Sequence, residues 1–405
     1  MRHSRSDDFK PRGRITSARD RVRVLHVLAE ISRSGAESML LASASVFRAS
    51  GYESDVLSTG AGHGPMAAAF GADGFGVHHV PFSKTPDFFL RVYRLMRQGH
   101  YDVIHLHTER ANFWLGLVAL AARPERVLRT IHSIFRFEGG LRRRRGLQRR
   151  ILHRLGVIHV ACGPTVQRTE QEWYGLPTRL APSWYDSRFF VPPTETERSE
   201  ARGSLGIGNG EVVFVTTGGC APVKNHVALI EAFALLPEQD RPLYLHIGIE
   251  ERDNPERKLA RSLGLADRVR FLGAVPDLRP AYAACDVFVM PSLREGFSVA
   301  ALEALATGLP ALFADIEGLR DLEPFYPTIS YAEPTAGALA EAIASLIAEM
   351  SEERRSRSAD YAETTRRLFG IEVGVERYVE IYRGRAPAMS EHPVDCGQGF
   401  DASHG

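Results

Sequence analysis

Short apolar runs rich in β-branched residues recur along the chain and are separated by stretches with helical spacing. The first run, VRVLHVLAEI from Val22, has the length and composition of a buried parallel strand. A turn at 33–38 follows it and leads into the small, apolar segment MLLASASVF, which favours a helix. Further strands are predicted at residues 52–57, 102–106, 127–131 and 156–161. Strands that alternate with helices indicate an α/β domain with a parallel sheet.

A second series of the same kind begins after residue 210. Between 182 and 210 the composition shifts to Pro, Glu, Arg, Ser and Gly, which indicates a connection between domains with a lead-in helix. Strands are predicted beyond it at residues 212–216, 243–247, 269–272, 287–290 and 311–313. The predicted fold class is α/β, with two Rossmann-like domains that face each other across an interdomain cleft. Ligands bind at the carboxyl ends of the strands in such sheets, so the cleft is the expected site.

The composition also suggests where the domains and tails begin and end. We expect a disordered tail at 1–20, a first domain at 21–190, a linker at 191–209, a second domain at 210–365, a helix across the domain junction at 366–385 and a disordered tail at 386–405. The last of these is rich in Gly, Pro and polar residues.

The overall composition excludes several classes of protein. Hydrophobic residues make up 44% and charged residues 24% of the 405 residues, which excludes wholesale disorder and a polytopic membrane protein. The net charge of +1 gives no global field for nucleic acid. The four cysteines lack metal-ligand or redox spacing, and the longest apolar stretch is shorter than the roughly 20 residues that span a bilayer. We expect a cytoplasmic protein with no nucleic-acid partner.

The most informative stretch is DVFVMPSLREGFSVAALEALATGLP at 286–310, which predicts a strand, a loop and a helix. Glu295 lies in the loop, Gly296 permits close backbone approach, and Ser298 is a candidate N-cap for the helix that carries Glu303. Amides at a helix start can hold a phosphate while carboxylates on either side meet hydroxyls. A sugar nucleotide offers that pattern.

The frame E-G-F-S-x-x-x-L-E-A-x-A-x-G-x-P within this stretch resembles the donor-site signature of the retaining glycosyltransferases of family 4. Those enzymes have the GT-B architecture, with an acceptor-side first domain and a second domain that binds the nucleotide sugar. The resemblance implies that Glu303 binds the ribose hydroxyls and that Glu295 contacts hydroxyls of the transferred sugar. It also implies that the amides of Phe297, Ser298 and Val299 receive the diphosphate.

Other motifs extend the resemblance over residues 22–384. Lys224-Asn-His is similar to the family's diphosphate-binding element, and Gly218 just before it is assigned to the donor site. VLRTIHS is similar to the strand that ends in a site histidine, which places His132 near the donor sugar and the reaction centre. By this resemblance, Glu295, Lys224 and His132 are the candidate catalytic residues.

The first domain also contributes candidate residues. Ser-Gly-Ala-Glu at 34–37 resembles the Gly-Gly-Ala-Glu loop of the family, which assigns Gly35 to the donor site and Glu37 to the acceptor side. YDVIHLHT resembles the family's D-V-V-H-x-H strand and adds His107 to the acceptor side. Simpler structural roles remain open: a turn for Gly35, a partner for the helix dipole for Glu37, and strand-end histidines for His107 and His132.

Three departures from the family pattern stand out. Gly219 replaces an arginine that binds phosphate, Ser34 replaces the first glycine of the loop, and 182–186 replaces P-N-G-V-D. Lys224 then carries the diphosphate charge alone, unless Arg294 or Arg320 takes part.

The resemblance implies a retaining glycosyltransferase that needs neither a metal nor a cofactor. Its donor would be a nucleoside diphosphate sugar, with UDP-hexose and GDP-mannose both open, and its acceptor a saccharide or lipid-linked saccharide in bacterial polysaccharide or glycolipid assembly. The altered loops keep a noncatalytic sugar-nucleotide-binding subunit as the alternative. An epimerase or phosphorylase on the same scaffold is a third possibility, because fold does not fix function.

A basic stretch at 136–154 contains eight arginines and one acidic residue. Leu147, Ile151 and Leu155 recur every four residues in it, which predicts an amphipathic helix. Arg142 to Arg154 could bind an anionic membrane surface at the inner membrane face, and a solvated helix face is the equal alternative.

Overall fold

The computed structural model describes residues 21–349 and 352–385. The tails predicted at 1–20 and 386–405 lie outside the described residues.

The first domain is built on a parallel sheet of seven strands in the order β3-β2-β1-β4-β5-β6-β7. Its strands are β1 Val22–Leu28, β2 Tyr52–Ser58, β3 Gly76–His79, β4 Val103–Leu106, β5 Arg126–Ile131, β6 Ile158–Ala161 and β7 Arg179–Leu180. Its helices are α1 Gly35–Ala42, α2 Ala44–Ala49, α3 Ala67–Ala72, α4 Pro86–Gln98, α5 Asn112–Ala121, α6 Gly139–Arg154 and α7 Pro164–Tyr174.

The second domain repeats this plan with six parallel strands in the order β10-β9-β8-β11-β12-β13. Its strands are β8 Val213–Thr217, β9 Leu243–Ile247, β10 Val269–Gly273, β11 Val287–Met290, β12 Ala311–Ala314 and β13 Ser330–Ala332. Its helices are α8 Glu195–Ser204, α9 His226–Leu235, α10 Pro255–Ser262, α11 Arg279–Ala284, α12 Val299–Ala306, α13 Glu317–Arg320 and α14 Ala336–Ala348, with 3-10 turns at Pro222–Lys224, Glu238–Asp240 and Glu323–Phe325. The predicted pair of Rossmann-like α/β domains is confirmed.

The predicted strands agree with the structure to within three residues, but three strands were missed. These are β3, β7 and β13, and each lies at an edge of its sheet. An edge strand is covered less completely than a central strand, so its residues need not be continuously apolar. All of β3 and β7 is only partly buried, which is why neither has the apolar run that marks a central strand.

The chain crosses between the domains twice, at neighbouring points. Tyr185 forms a parallel bridge with Gly370, which separates the last two helices, α15 Glu352–Phe369 and α16 Ile371–Tyr382. Helix α15 packs against α12 of the second domain, while α16 returns to the first-domain sheet. Close contact with Trp184 requires a glycine at Gly374, because a Cβ there would lie 2.5 Å from the Trp184 ring. The two crossings therefore form one packed joint.

Helix α8 lies within residues 191–209, which were predicted as the linker. Arg198 and Arg202 on this helix bind Asp286 at 2.7 and 3.5 Å, just before β11. Helix α8 also packs against α11. These residues are thus largely a helix attached to the second domain, in agreement with the predicted lead-in helix.

Candidate active site at the domain interface

The second-domain sheet has its switch point between β8 and β11. These strands are neighbours, but the chain leaves them toward opposite edges of the sheet, so the loops that follow them leave a crevice at their carboxyl ends. The loop after β8 carries Gly218 and Lys224, and the loop after β11 carries Glu295. Lys224 Nζ lies 2.8 Å from Glu295 Oε1. The fold therefore joins two residues that were predicted from separate motifs.

The loop after β11 presses against the first domain. A Cβ on Gly296 would lie 2.5 Å from the carbonyl oxygen of His132, so only glycine permits this approach, as predicted. Phe297 is buried, and a Cβ on Gly163 of the first domain would lie 2.9 Å from its ring. The phenylalanine side chain thus serves domain packing, and its backbone forms a hydrogen bond with the buried Cys162 thiol.

Helix α12 begins directly after this loop. Ser298 is its N-cap, and the serine Oγ accepts a hydrogen bond from the Ala301 amide at 3.3 Å, as the sequence predicted. The first amides of a helix have no acceptor within the helix. Val299 in this first turn meets the start of α1, where a Cβ on Gly35 would lie 3.2 Å from the valine side chain. The start of α12 is therefore located at the cleft.

Glu303 lies one turn further along α12 and is 9% exposed. Burial raises its carboxyl pKa to about 8, and the negative charge of Asp186 adds to the effect. The carboxyl is thus largely protonated at neutral pH in the ligand-free protein. In the protonated form the Glu303 carboxyl can donate one hydrogen bond. If a bound ligand favours ionisation, both oxygens of the carboxylate accept hydrogen bonds.

Glu37 is engaged by its own helix. Its carboxylate accepts a hydrogen bond from the hydroxyl of Ser34, the N-cap residue of α1, and burial raises its pKa. Ser34 thus holds Glu37 in the first turn of α1, a position that suits a partner for the helix dipole, and the acceptor-side role of Glu37 stays a prediction.

Two candidate histidines are joined in a row. His107 Nδ1 lies 3.0 Å from His132 Nε2, and His107 Nε2 lies 3.0 Å from Nδ1 of His26. Burial lowers the pKa of all three imidazoles, to about 4 for His132 and about 3 for His26. Sequence reasoning missed His26, because only the pairing of β1 with β4 brings it beside His105.

Within the described part of the chain, His26, His105 and His107 lie close enough together to hold a metal ion. Both ring nitrogens of His105, however, already contact hydroxyls, at 2.9 Å to Tyr382 and 2.7 Å to Thr130. Hydrogen bonds to hydroxyl groups therefore occupy His105 in this structure, and the metal-free mechanism stays a prediction.

The surroundings of Gly219 bear on the missing arginine. A Cβ at Gly219 would meet the Ile249 carbonyl oxygen at 3.4 Å, an ordinary contact, so the backbone has room for a side chain. Of the two cations considered as substitutes, Arg320 binds Asp315 through two hydrogen bonds of 2.8 Å. Arg294 is exposed next to Glu295. Arg294 is therefore the better placed of the two.

A polar contact closes the domain interface beside the site. Thr165, at the start of α7, donates two hydrogen bonds of 2.8 Å to the Asp321 carboxylate of the second domain, from its amide and its hydroxyl. Burial raises the pKa of Asp321 to about 6. Arg136 reaches Glu317 across the same interface at 2.7 Å. The two domains are thus held in contact at this side of the cleft.

The basic helix α6 differs from the prediction in which residues face solvent. Arg149 is buried and binds Glu170 at 2.9 Å and Glu109 at 3.3 Å, so it is unavailable to a membrane. Leu147 and Leu155 are about half exposed, so the predicted apolar stripe faces outward. Most of the remaining arginines of the helix are exposed; these are Arg142, Arg143, Arg144, Arg150 and Arg154.

Both domains of the chain resemble known protein families. The family of glycosyl transferases group 1 matches residues 197–365, and glycosyltransferase family 4 matches residues 33–186. The chain is 29% identical to a D-inositol 3-phosphate glycosyltransferase of Corynebacterium urealyticum, over 73% of this chain and 74% of the relative. It is 26% identical to the Escherichia coli UDP-Gal:alpha-D-GlcNAc-diphosphoundecaprenol alpha-1,3-galactosyltransferase, over 59% of this chain and 64% of the relative.

A solved structure supports the fold. The Anabaena protein Alr3699/HepE, in complex with UDP and glucose, superimposes with a TM-score of 0.75 at 21% identity, over 89% of this chain and 99% of that one. Both halves of the chain match glycosyltransferase families, and its two domains superimpose on a solved glycosyltransferase from Rickettsia africae with a TM-score of 0.77. The chain therefore belongs to the GT-B glycosyltransferases of group 1 and family 4.

Proposed function

We propose that this glycosyltransferase moves a hexose from a nucleoside diphosphate sugar to a saccharide or lipid-linked saccharide, with retention of configuration and without a metal. The observation that carries the proposal is the 2.8 Å pair of Lys224 and Glu295 at the second-domain switch point. A cation for the diphosphate and a carboxylate for sugar hydroxyls lie side by side there, next to the start of α12.

Each candidate residue takes a role that suits its surroundings. Lys224 and the first-turn amides of α12 bind the diphosphate, since both present positive charge to one region. Glu303 receives the ribose hydroxyls, and Glu295 receives hydroxyls of the transferred sugar. In the free protein Lys224 and Glu295 neutralise each other. A bound diphosphate takes over the lysine, so the Glu295 carboxylate becomes free to accept from the sugar.

The proposed chemical step is a substitution at the anomeric carbon of the donor sugar. The acceptor hydroxyl oxygen forms a bond to the anomeric carbon while the bond from that carbon to the diphosphate oxygen breaks on the same face. The hydroxyl proton passes to the departing phosphate. Lys224 and the helix amides stabilise the charge that develops on the leaving group, and His132 helps to orient the sugar. The positive charge supplied by the protein takes the place that a metal ion has in other transferases.

The donor is expected to be UDP-hexose or GDP-mannose, as the sequence left open. Support for a uridine nucleotide comes from the UDP and glucose bound to the Anabaena protein and from the UDP-Gal in the name of the E. coli relative. That same name includes a diphosphoundecaprenol-linked sugar, which supports a lipid-linked acceptor.

A lipid-linked acceptor would bring the protein to the inner face of the cytoplasmic membrane. Within the described residues, no helix is long and apolar enough to cross a bilayer. Helix α6 instead offers exposed arginines beside the outward-facing Leu147 and Leu155, and Trp114 of the adjoining α5 is 55% exposed. Basic residues with apolar neighbours suit attachment to anionic lipid headgroups. The proposed location is therefore cytoplasmic and peripheral to the membrane.

A noncatalytic sugar-nucleotide-binding subunit is the second candidate, and Gly219 is the observation that favours it. Because Gly219 stands where the family pattern has an arginine, one cation fewer contacts the leaving diphosphate. Gly219→Arg is expected to tighten nucleoside diphosphate binding by about tenfold, the effect of one charge-assisted hydrogen bond, because the backbone has room for the side chain. If Gly219→Arg also creates turnover that the natural chain lacks, the natural chain is a binding protein.

The test of the main proposal is a donor screen. Thermal shift and release of nucleoside diphosphate are measured with UDP-glucose, UDP-galactose, UDP-N-acetylglucosamine and GDP-mannose. One donor should raise the melting temperature and be slowly hydrolysed. Hydrolysis should be lost in Glu295→Gln, and donor binding should weaken in Glu303→Gln.

A further inference from the structure

A row of three imidazoles leads from the core of the first domain to the cleft. His26 is 1% exposed at its inner end, His107 lies in the middle, and His132 is partly exposed at its outer end. The rings of His107 and His132 are stacked with centroids 5.3 Å apart. The outer residue is the one whose carbonyl oxygen touches Gly296 of the donor-binding loop.

The number of protons in this row is limited. Burial keeps all three imidazoles neutral near pH 7, so each ring carries one N–H and one lone pair. A hydrogen bond at each of the two 3.0 Å contacts needs one donor and one acceptor. The three N–H groups must therefore all point outward to the cleft or all point inward to the core.

The inner end decides between these two directions. Nε2 of His26 is buried and has no hydrogen-bond partner among the described residues. An inward direction would place the proton on this atom and bury an N–H without an acceptor. Buried N–H groups without a partner are rarer in proteins than acceptors that lack a donor. The proton of His26 therefore belongs on Nδ1, which directs it at His107.

We propose that His26 and His107 are positioning residues that hold His132 in the tautomer with its proton on Nδ1. His26 Nδ1 donates to His107 Nε2, and His107 Nδ1 donates to His132 Nε2. The remaining N–H of His132 is then a fixed hydrogen-bond donor for an oxygen of the substrate. This role rests on the proposed sugar transfer, but the tautomer itself does not.

The arrangement also excludes one chemical role for His132. Its Nε2 lone pair is occupied by His107, and its Nδ1 already holds a proton. The ring therefore has no free lone pair with which to take the proton of an acceptor hydroxyl. His132 binds and orients the substrate, and the leaving phosphate remains the proton acceptor of the proposed reaction.

The tautomer can be measured on the full chain without any substrate. Protein labelled with ¹⁵N-histidine gives side-chain nitrogen resonances that separate protonated from unprotonated ring nitrogens, and His132→Gln identifies the signal of His132. The proposal expects His132 with a protonated Nδ1 near pH 7. A protonated Nε2 in the natural protein would overturn it, whether or not any sugar is transferred.

Two variants at the inner end provide the matched comparison. His26→Asn keeps an amide donor close to the position of Nδ1 and should preserve the His132 tautomer. His26→Leu removes the donor and should give a mixture of tautomers. With the donor sugar that the screen identifies, His26→Leu should lower kcat by about tenfold, the effect of one misdirected hydrogen bond, with less than a twofold change in nucleoside diphosphate affinity.

His159→Leu is the control for loss of a buried histidine. His159 is buried on β6 of the same sheet and contacts Arg129, outside the row. This variant is expected to lose stability while the His132 tautomer and kcat are kept. An unchanged His132 tautomer in folded His26→Leu, or an equal fall in kcat for both leucine variants, would refute the positioning role.

Discussion

The protonated state of Glu303 leads to a quantitative prediction for the ligand-free protein. Its pKa rises from 4.5 to about 8 on folding because the carboxyl is buried. Above about pH 4.5 the unfolded chain loses this proton while the folded protein keeps it. The contribution of Glu303 to the free energy of unfolding is therefore most favourable at low pH, falls as pH rises, and levels off above about pH 8.

The size of the effect follows from the shift. Each pKa unit corresponds to about 1.4 kcal/mol, so the full shift amounts to roughly 5 kcal/mol. Between about pH 6 and about pH 8.5, the contribution of Glu303 should fall by roughly 2–3 kcal/mol. Glu303→Gln has the same shape and does not ionise. Its stability relative to the natural protein should rise by that amount over this range.

Urea unfolding of both proteins at several pH values measures the difference directly, because the contributions of other titrating groups cancel. Glu333→Gln is the matched control, since Glu333 is exposed and its replacement removes a carboxylate while the buried Glu303 is kept. A flat difference for Glu303→Gln, or one that shrinks as pH rises, would refute a buried, protonated Glu303.

Two further predictions concern binding. Lys224→Ala should weaken nucleoside diphosphate binding by roughly 1.5–3 kcal/mol in titration calorimetry, because it removes a charge-assisted hydrogen bond, while Lys224→Arg should retain most of the affinity; equal affinity in all three proteins would remove Lys224 from the site. Replacing both Arg143 and Arg144 by Gln should weaken binding to anionic vesicles, measured by flotation, by about 2 kcal/mol. Replacing both Arg252 and Arg261 in the second domain by Gln should leave that binding unchanged. Flotation that does not depend on the fraction of anionic lipid would contradict the membrane proposal.

The sequence was sufficient to predict the central strands because their burial on both faces leaves an apolar run. The seven-residue β1 and the five-residue β9 are examples. Strand β13 has three residues and one neighbouring strand, so its local sequence contains little of that signal. The pattern of apolar residues along the chain indicates which strands are buried, but it does not indicate which strands become neighbours in a sheet.

The candidate site was likewise predictable from the sequence only in part. Glu295, Ser298 and Glu303 are close in sequence, so their relation to one strand and one helix could be predicted. The contact of Lys224 with Glu295 joins positions 71 residues apart and depends on β8 lying beside β11. The burial that protonates Glu303 likewise depends on tertiary packing, and no local pattern encodes it.

The same limit applies to the polar groups inside the first domain. His26 enters the imidazole row only through the pairing of β1 with β4. Arg149 was predicted as part of a basic surface, because a helical pattern gives no sign that the buried Glu170 of the neighbouring helix α7 binds it. A buried charged residue cannot be recognised from the sequence alone, because its burial depends on an ionic partner elsewhere in the chain.

Release of nucleoside diphosphate from each of the four candidate donors is the most direct test of sugar transfer. We expect that one donor is cleaved, and that cleavage is lost in Glu295→Gln and in Lys224→Ala while both variants stay folded. A donor that binds tightly but is never cleaved, with or without acceptor extracts, would contradict the transferase mechanism.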